Sequence, residues 1–116
     1  MRKSVQKIQQ FKNNKKITML TAYDFSTARY IDEAGVDMIL VGDSLAQVVL
    51  GYENTTAISM NEMKIFVSAV SRGVQNALLV SDMPYGSFNI SVEDNVRCYL
   101  WLKVYLLSTV LQRRVW

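Results

Sequence analysis

Apolar positions follow two alternating rhythms along this chain. Val5, Ile8 and Phe11 recur every third residue within the polar stretch 2–14, which predicts a short helix with a narrow apolar stripe. Residues 17–22 form a compact apolar run holding Thr18 and Thr21, the pattern of a buried strand. Asp24 then precedes Phe25, Ala28, Ile31 and Ala34, which share one helical face, and Gly35 is placed to end that helix. Residues 37–41 form a second strand-like run, closing in Gly42, Asp43 and Ser44. Residues 45–58 have no clear period and read as a long loop with room for one helical turn. Ser59 with Glu62 three positions on is a capping box. The helix it opens sets Met63, Phe66, Val67, Val70 and Val74 on one face. Residues 77–80 are the third strand, followed by Ser81, Asp82, Met83 and Pro84. Ser91, Val92, Glu93 and Asp94 open a further helix with acids in its first turn, favourable to its dipole.

The order is therefore a helix and then strand–helix three times. Wholly apolar strands alternating with helices imply a parallel sheet covered by helices. Sheets of that kind carry their ligands at the carboxyl ends of the strands. Leu40-Val41-Gly42-Asp43 and Leu79-Val80-Ser81-Asp82 repeat one device, an aspartate just past a buried strand. If the two strands are neighbours, the aspartates converge.

Composition narrows the chemistry. The length of 116 residues suits one domain, whereas a complete eight-stranded barrel takes about 250. Half the residues are hydrophobic and 20% charged, which excludes whole-chain disorder. Cys98 is the single cysteine, so no internal disulfide forms, and a reducing compartment, the cytoplasm, is expected. Cys98 itself reads as a buried thiol. The absence of histidine removes Ser-His and Cys-His catalysis and the commonest zinc ligand. Carboxylates, lysines, hydroxyls and hard cations remain. Gly42, Gly51 and Gly86 make no phosphate-binding fingerprint. Met60, Met63 and Met83 read as packing.

Charge is unevenly spread. Residues 1–16 hold six bases and no acid, residues 17–94 three bases and all ten acids, and residues 95–116 four bases and no acid. The basic ends read as solvated helical faces, with no nucleic-acid partner expected. The apolar stretch 98–111 contains Lys103. As a helix it would reach about 21 Å against a hydrocarbon core of about 30 Å, so no membrane span is expected. No secretory leader is evident.

Two carboxylates held close repel unless a cation lies between them. Oxygen ligands at this density suit Mg²⁺, which takes one or two carboxylates and leaves positions for water or substrate. A 2-oxo acid fits those positions as a chelate, and Ser44 is placed to bond its carboxylate by hydroxyl or backbone amide. An aspartate after a strand also serves as a helix cap or turn residue. For Asp43 and Asp82 both readings stand; Asp24 reads as a cap.

The motifs carry a resemblance. TAYD at 21–24, VGDSL at 41–45 and DMPY at 82–85 stand in the order and spacing of the ketopantoate hydroxymethyltransferase family, and the likeness extends over about residues 5–97. The resemblance implies a partial (β/α)8 TIM barrel of the phosphoenolpyruvate-mutase-like type, an N-terminal helix plus about three βα units. It implies transfer of a hydroxymethyl group from 5,10-methylenetetrahydrofolate to 3-methyl-2-oxobutanoate, giving ketopantoate for pantothenate and coenzyme A synthesis. It places Mg²⁺ on Asp43 and Asp82, and the keto-acid carboxylate on Ser44. The metal would acidify the proton beside the carbonyl, a base would remove it, and the enolate would attack the one-carbon unit. A homo-oligomer and a cytoplasmic location are also implied.

The sequence departs from the family pattern after Arg97. It contains no VK-[LI]-E-G-G-like segment, whose Lys binds substrate and whose Glu supports the metal, nor the later glutamate base. Residues 98–116 have no acid and no Gly and end in Gln112, Arg113, Arg114, Val115 and Trp116. This break is read as a shifted reading frame and early termination, with a genuine evolved tail as the alternative, making residues 1–97 the barrel portion and 98–116 a divergent tail; a non-catalytic remnant and another Mg²⁺-dependent enolate-forming barrel enzyme are the alternative functions. Three unclosed strands leave an open edge, so an unstable, inactive chain is expected.

Overall fold

The structure, a computed structural model, describes residues 1–87, 91–93, 96, 97 and 100. Its elements run α1 (Val5–Gln9), β1 (Met19–Thr21), α2 (Phe25–Glu33), β2 (Met38–Val41), α3 (Leu45–Val48), a 3₁₀ turn (Thr55–Ala57), α4 (Met60–Gly73) and β3 (Leu78–Ser81). The strands pair in parallel in the order β1-β2-β3, with Thr21 opposite Leu40 and Val41 opposite Ser81. Parallel neighbours need a crossover, and α2 and α4 supply the two crossovers. This is the βα alternation expected from the hydrophobic rhythm.

Alternation along the strands explains why they are apolar throughout. Ile39, Val41 and Leu79 face one side and pack with Ala28, Met63, Val67 and Val70 from α2 and α4. Leu78 and Val80 face the other side and pack with Ile8 of α1, with Val5, Phe11, Met38 and Leu40 around them. Burying about 16 apolar side chains on two faces dominates the stability of so small a body. On the second face Val5, Ile8, Ile17, Met38, Leu78 and Val80 border an open apolar groove of about 320 Å³.

The helix ends follow local rules. The Asp24 side chain accepts the Thr27 backbone N–H at 2.8 Å and so caps α2. That N–H bond holds the Asp24 carboxyl below its usual range. Gly35, at φ 85°, turns the chain after α2 in the left-handed region. Both arms of the Ser59–Glu62 capping box are present at α4. Val92 and Glu93 are helical, as read from the sequence.

Three expectations need correction. β1 is not buried: Met19 and Leu20 are 48% and 51% exposed, because β1 is the edge of the sheet and α1 covers chiefly β2 and β3. The stripe on α2 is rotated: Ala28 and Asp32 are buried while Phe25 and Ala34 are exposed. Residues 45–58 hold the one helical turn that the sequence leaves room for, α3, and a 3₁₀ turn besides. The basic N-terminus is only partly a solvated face. Lys3 and Lys15 pair with the buried Asp37 at 3.3 and 2.8 Å, and Arg2 donates to the Val74 carbonyl at 3.0 Å. The readings of Cys98 and of the tail 98–116, Leu100 apart, lie outside the described residues.

Candidate functional site

All three strands end on the same side of the sheet, and the residues just beyond them meet there. β1 delivers Ala22, Tyr23 and Asp24; β2 delivers Gly42, Asp43 and Ser44; β3 delivers Asp82. The ladder continues past the strands, with the Ala22 N–H donating to Leu40 at 3.1 Å and the Asp82 N–H to Val41 at 3.0 Å. That continuity fixes the register of the three ends relative to one another.

Asp43 and Asp82 come together as their sequence echo predicts. The Asp43 backbone N–H donates to Asp82 Oδ2 at 3.2 Å. Both residues are half-buried. Ser44 lies beside them, its Oγ 2.6 Å from the Tyr23 hydroxyl. Gly42 leaves the room in which these groups meet: a Cβ there would stand 3.2 Å from Ser44 Oγ and 3.5 Å from Asp82 Oδ2. Asp24 lies outside this group, its carboxylate engaged by Thr27.

The groups that meet beside Gly42 are hard oxygens, the Asp82 carboxylate and the Ser44 hydroxyl, with the Asp43 backbone against them. This fits a small divalent cation that keeps waters or substrate oxygens in its remaining positions. Among the described residues no group of three or more Asp, Glu or Cys side chains converges for a metal.

The loop after β2 is fastened at a second point. The Tyr52 hydroxyl donates to Glu62 at 2.5 Å, and Glu62 also accepts from the Ser59 N–H at 2.8 Å. The hydrogen bond from Tyr52 leads in lowering the Glu62 carboxyl and raising the Tyr52 hydroxyl. Tyr23 and this clasp escaped the reading of the sequence. Tyr23 carries a sequence signal, since it follows the first strand as Asp43 and Asp82 follow theirs. The Tyr52–Glu62 pair had none, because ten residues of irregular spacing separate them.

Comparison with known proteins bears on family and fold. A family model described as ketopantoate hydroxymethyltransferase matches residues 2–102. The 3-methyl-2-oxobutanoate hydroxymethyltransferase of Koribacter versatilis is 59% identical over 81 residues, 70% of this chain and 28% of that one. The protein of the same name from Acetivibrio thermocellus is 57% identical over 86 residues, covering 74% and 30%. That from Ignicoccus hospitalis is 52% identical over 90 residues, covering 78% and 34%. The chain thus spans about a third of the length of the curated relatives it matches. Among solved structures, phosphoenolpyruvate phosphomutase from Streptomyces platensis subsp. rosaceus superposes with a TM-score of 0.68 at 15% identity, over 93% of this chain and 37% of that one. At that identity the likeness is one of fold: a portion of a (β/α)8 barrel of the phosphoenolpyruvate-mutase type. Fold, motifs and sequence identity agree, and the chain belongs to the ketopantoate hydroxymethyltransferase family.

Proposed function

We propose that residues 1–97 carry the first part of the metal and keto-acid site of a hydroxymethyltransferase. That enzyme would move a one-carbon unit from 5,10-methylenetetrahydrofolate to 3-methyl-2-oxobutanoate, forming ketopantoate for pantothenate and coenzyme A biosynthesis in the cytoplasm. The observation that carries the reading is the Asp82 carboxylate held against the Asp43 backbone N–H, with Ser44 adjacent.

In this reading Asp43 and Asp82 hold Mg²⁺. When bound, the cation polarises the 2-oxo carbonyl and makes the neighbouring carbon acid easier to deprotonate. The chain's own groups do the rest of the binding work. The Asp43 N–H keeps the Asp82 carboxylate from rotating. The Ser44 hydroxyl donates to the keto-acid carboxylate and sets which end of the substrate faces the acids. Gly42 keeps the space between them open.

The resemblance assigns the general base and a Lys–Glu pair to other segments of the barrel, so residues 1–97 are proposed to contribute binding groups to the site. A homo-oligomer, and no nucleic-acid or membrane partner, belong to the same reading. Among the described residues no helix is long and apolar enough to cross a membrane.

The test is calorimetric titration of the chain with 3-methyl-2-oxobutanoate, with and without MgCl₂. Binding should require Mg²⁺ and disappear in Asp43→Asn and Asp82→Asn. Keto-acid binding indifferent to Mg²⁺, or no binding at all, would overturn the reading.

A further inference from the structure

The reading above gives the Tyr23 hydroxyl no role. Its ring packs against the main core, which leaves the side chain little freedom. A tyrosine has only two rotatable side-chain bonds, so a packed ring delivers its hydroxyl to one place. That place is Ser44 Oγ, 2.6 Å away, across 21 residues and from a different strand. This bond ties the end of β1 to the end of β2 through side chains alone.

A serine hydroxyl has one proton and rotates among three staggered positions. Left alone, it would share that proton with whatever acceptor lay nearest. A phenol is far more acidic than an aliphatic alcohol and is the better donor of the two. Tyr23 therefore donates and Ser44 Oγ accepts. With one lone pair of Ser44 so engaged, its rotamer is fixed and its own proton is left for a third group. The space beside Gly42, bordered by Ser44 Oγ and Asp82 Oδ2, is where that group would sit. An anion is the acceptor that gains most from an aligned hydroxyl proton.

We propose that Tyr23 is a positioning residue: it orients the Ser44 hydroxyl so that its proton points at the substrate carboxylate. The role rests on the 2-oxo-acid reading of the site given above. Tyr23 does not touch the substrate; it acts through Ser44. The consequence is specificity for a carboxylate at that end of the substrate.

The experiment measures Mg²⁺-dependent binding of 3-methyl-2-oxobutanoate to four forms of the chain: the natural one, Tyr23→Phe, Ser44→Ala and the double variant. Tyr23→Phe keeps the ring and should unfold at the same temperature, within error. Its keto-acid dissociation constant should rise about tenfold, while that for Mg²⁺ alone moves less than twofold. The double variant should bind no more weakly than Ser44→Ala, because removing Ser44 removes what Tyr23 orients. A merely structural tyrosine would instead weaken both backgrounds equally. Equal effects in both backgrounds, or unchanged binding in Tyr23→Phe, overturn the positioning role and leave the 2-oxo-acid reading intact. No Mg²⁺-dependent binding by the natural chain overturns both.

Discussion

The carboxylate of Asp32, on the buried side of α2, accepts the backbone N–H of Ala77 at 2.7 Å. It also takes the N–H groups of Gln75 and Asn76 and the side-chain amide of Asn76. One side chain thus satisfies the turn by which α4 enters β3. Burial raises its pKa, but the N–H bonds outweigh burial and hold the carboxyl below its usual range. Asp32→Ala should leave these donors without their acceptor and cost about 3 kcal/mol. Asp32→Asn, which keeps shape and one acceptor, should cost less. Urea midpoints check both, and equal midpoints for Asp32→Ala and the natural chain would rule the clasp out.

A second buried acid makes stability depend on pH. Asp37 is held down to about 2, first by its hydrogen bond from Lys15, with burial opposing and Thr18 and Lys3 assisting. The unfolded chain, with an ordinary carboxyl, takes up the proton at higher pH than the folded chain. The stabilisation is therefore complete above about pH 5 and is lost as pH falls through 4 toward 2. Denaturation at pH 6 and pH 3 should show this loss, and Asp37→Asn should make the slope shallower. The same slope in that variant would remove Asp37 from the explanation.

Close approach of the two crossover helices depends on Gly73. A Cβ there would lie 2.6 Å from the Phe25 carbonyl oxygen and 3.1 Å from Ala28 Cβ. The obstacle is backbone, so Gly73→Ala should force α2 and α4 apart at a cost of roughly 1–3 kcal/mol. Thermal unfolding measures it. Gly35 is the contrast: nothing lies within 4 Å of its Cβ position. Gly35→Ala should cost about 1 kcal/mol through its positive φ alone.

Gly42→Ala probes the site without touching a ligand-bearing side chain. The new methyl would press on the Ser44 hydroxyl and reach the Asp82 carboxylate. Stability should fall by about 1 kcal/mol, since the half-buried Ser44 side chain must give by a few tenths of an ångström. Mg²⁺-dependent keto-acid binding should fall about tenfold. Calorimetry decides, and unaltered binding would mean the space beside Gly42 is not where substrate sits.

The exposed edge should govern self-association. Met19 and Leu20 present apolar side chains on an edge strand whose backbone is paired on one side by β2. Leu20→Lys should reduce aggregation, read as light scattering at a fixed concentration and temperature, because a charge on an edge strand opposes strand addition. Scattering equal to that of the natural chain would place the sticky surface elsewhere.

Local rules made much of this fold readable before any coordinates. The capping box at Ser59, the Asp24 cap and the turn at Gly35 each depend on residues within four positions, and the sequence displays them directly. The apolar runs mark all three strands, and for β2 and β3 the reason is packing on both faces, which leaves no polar positions. The pairing of Asp43 with Asp82 was legible for a related reason: identical strand ends in a parallel sheet must emerge together. The misreadings were of another kind. Phe25 is exposed and Asp32 buried because the side of α2 that meets α4 and the 75–77 turn is chosen by packing, which periodicity does not contain. Lys3 and Lys15 looked solvated because Asp37 is distant in sequence and its burial was invisible.

The sequence alone determined the order of elements, the parallel pairing and the residues delivered to the strand ends, since hydrophobic period and capping are short-range physics. Only the tertiary structure decided which of those residues touch. The Tyr23–Ser44 bond, the Asp32 clasp over residues 75–77 and the approach at Gly73 each join segments more than 20 residues apart. Their partners are set by how far the helices and strands pack together, to within an ångström, and close packing of many side chains at once fixes that distance.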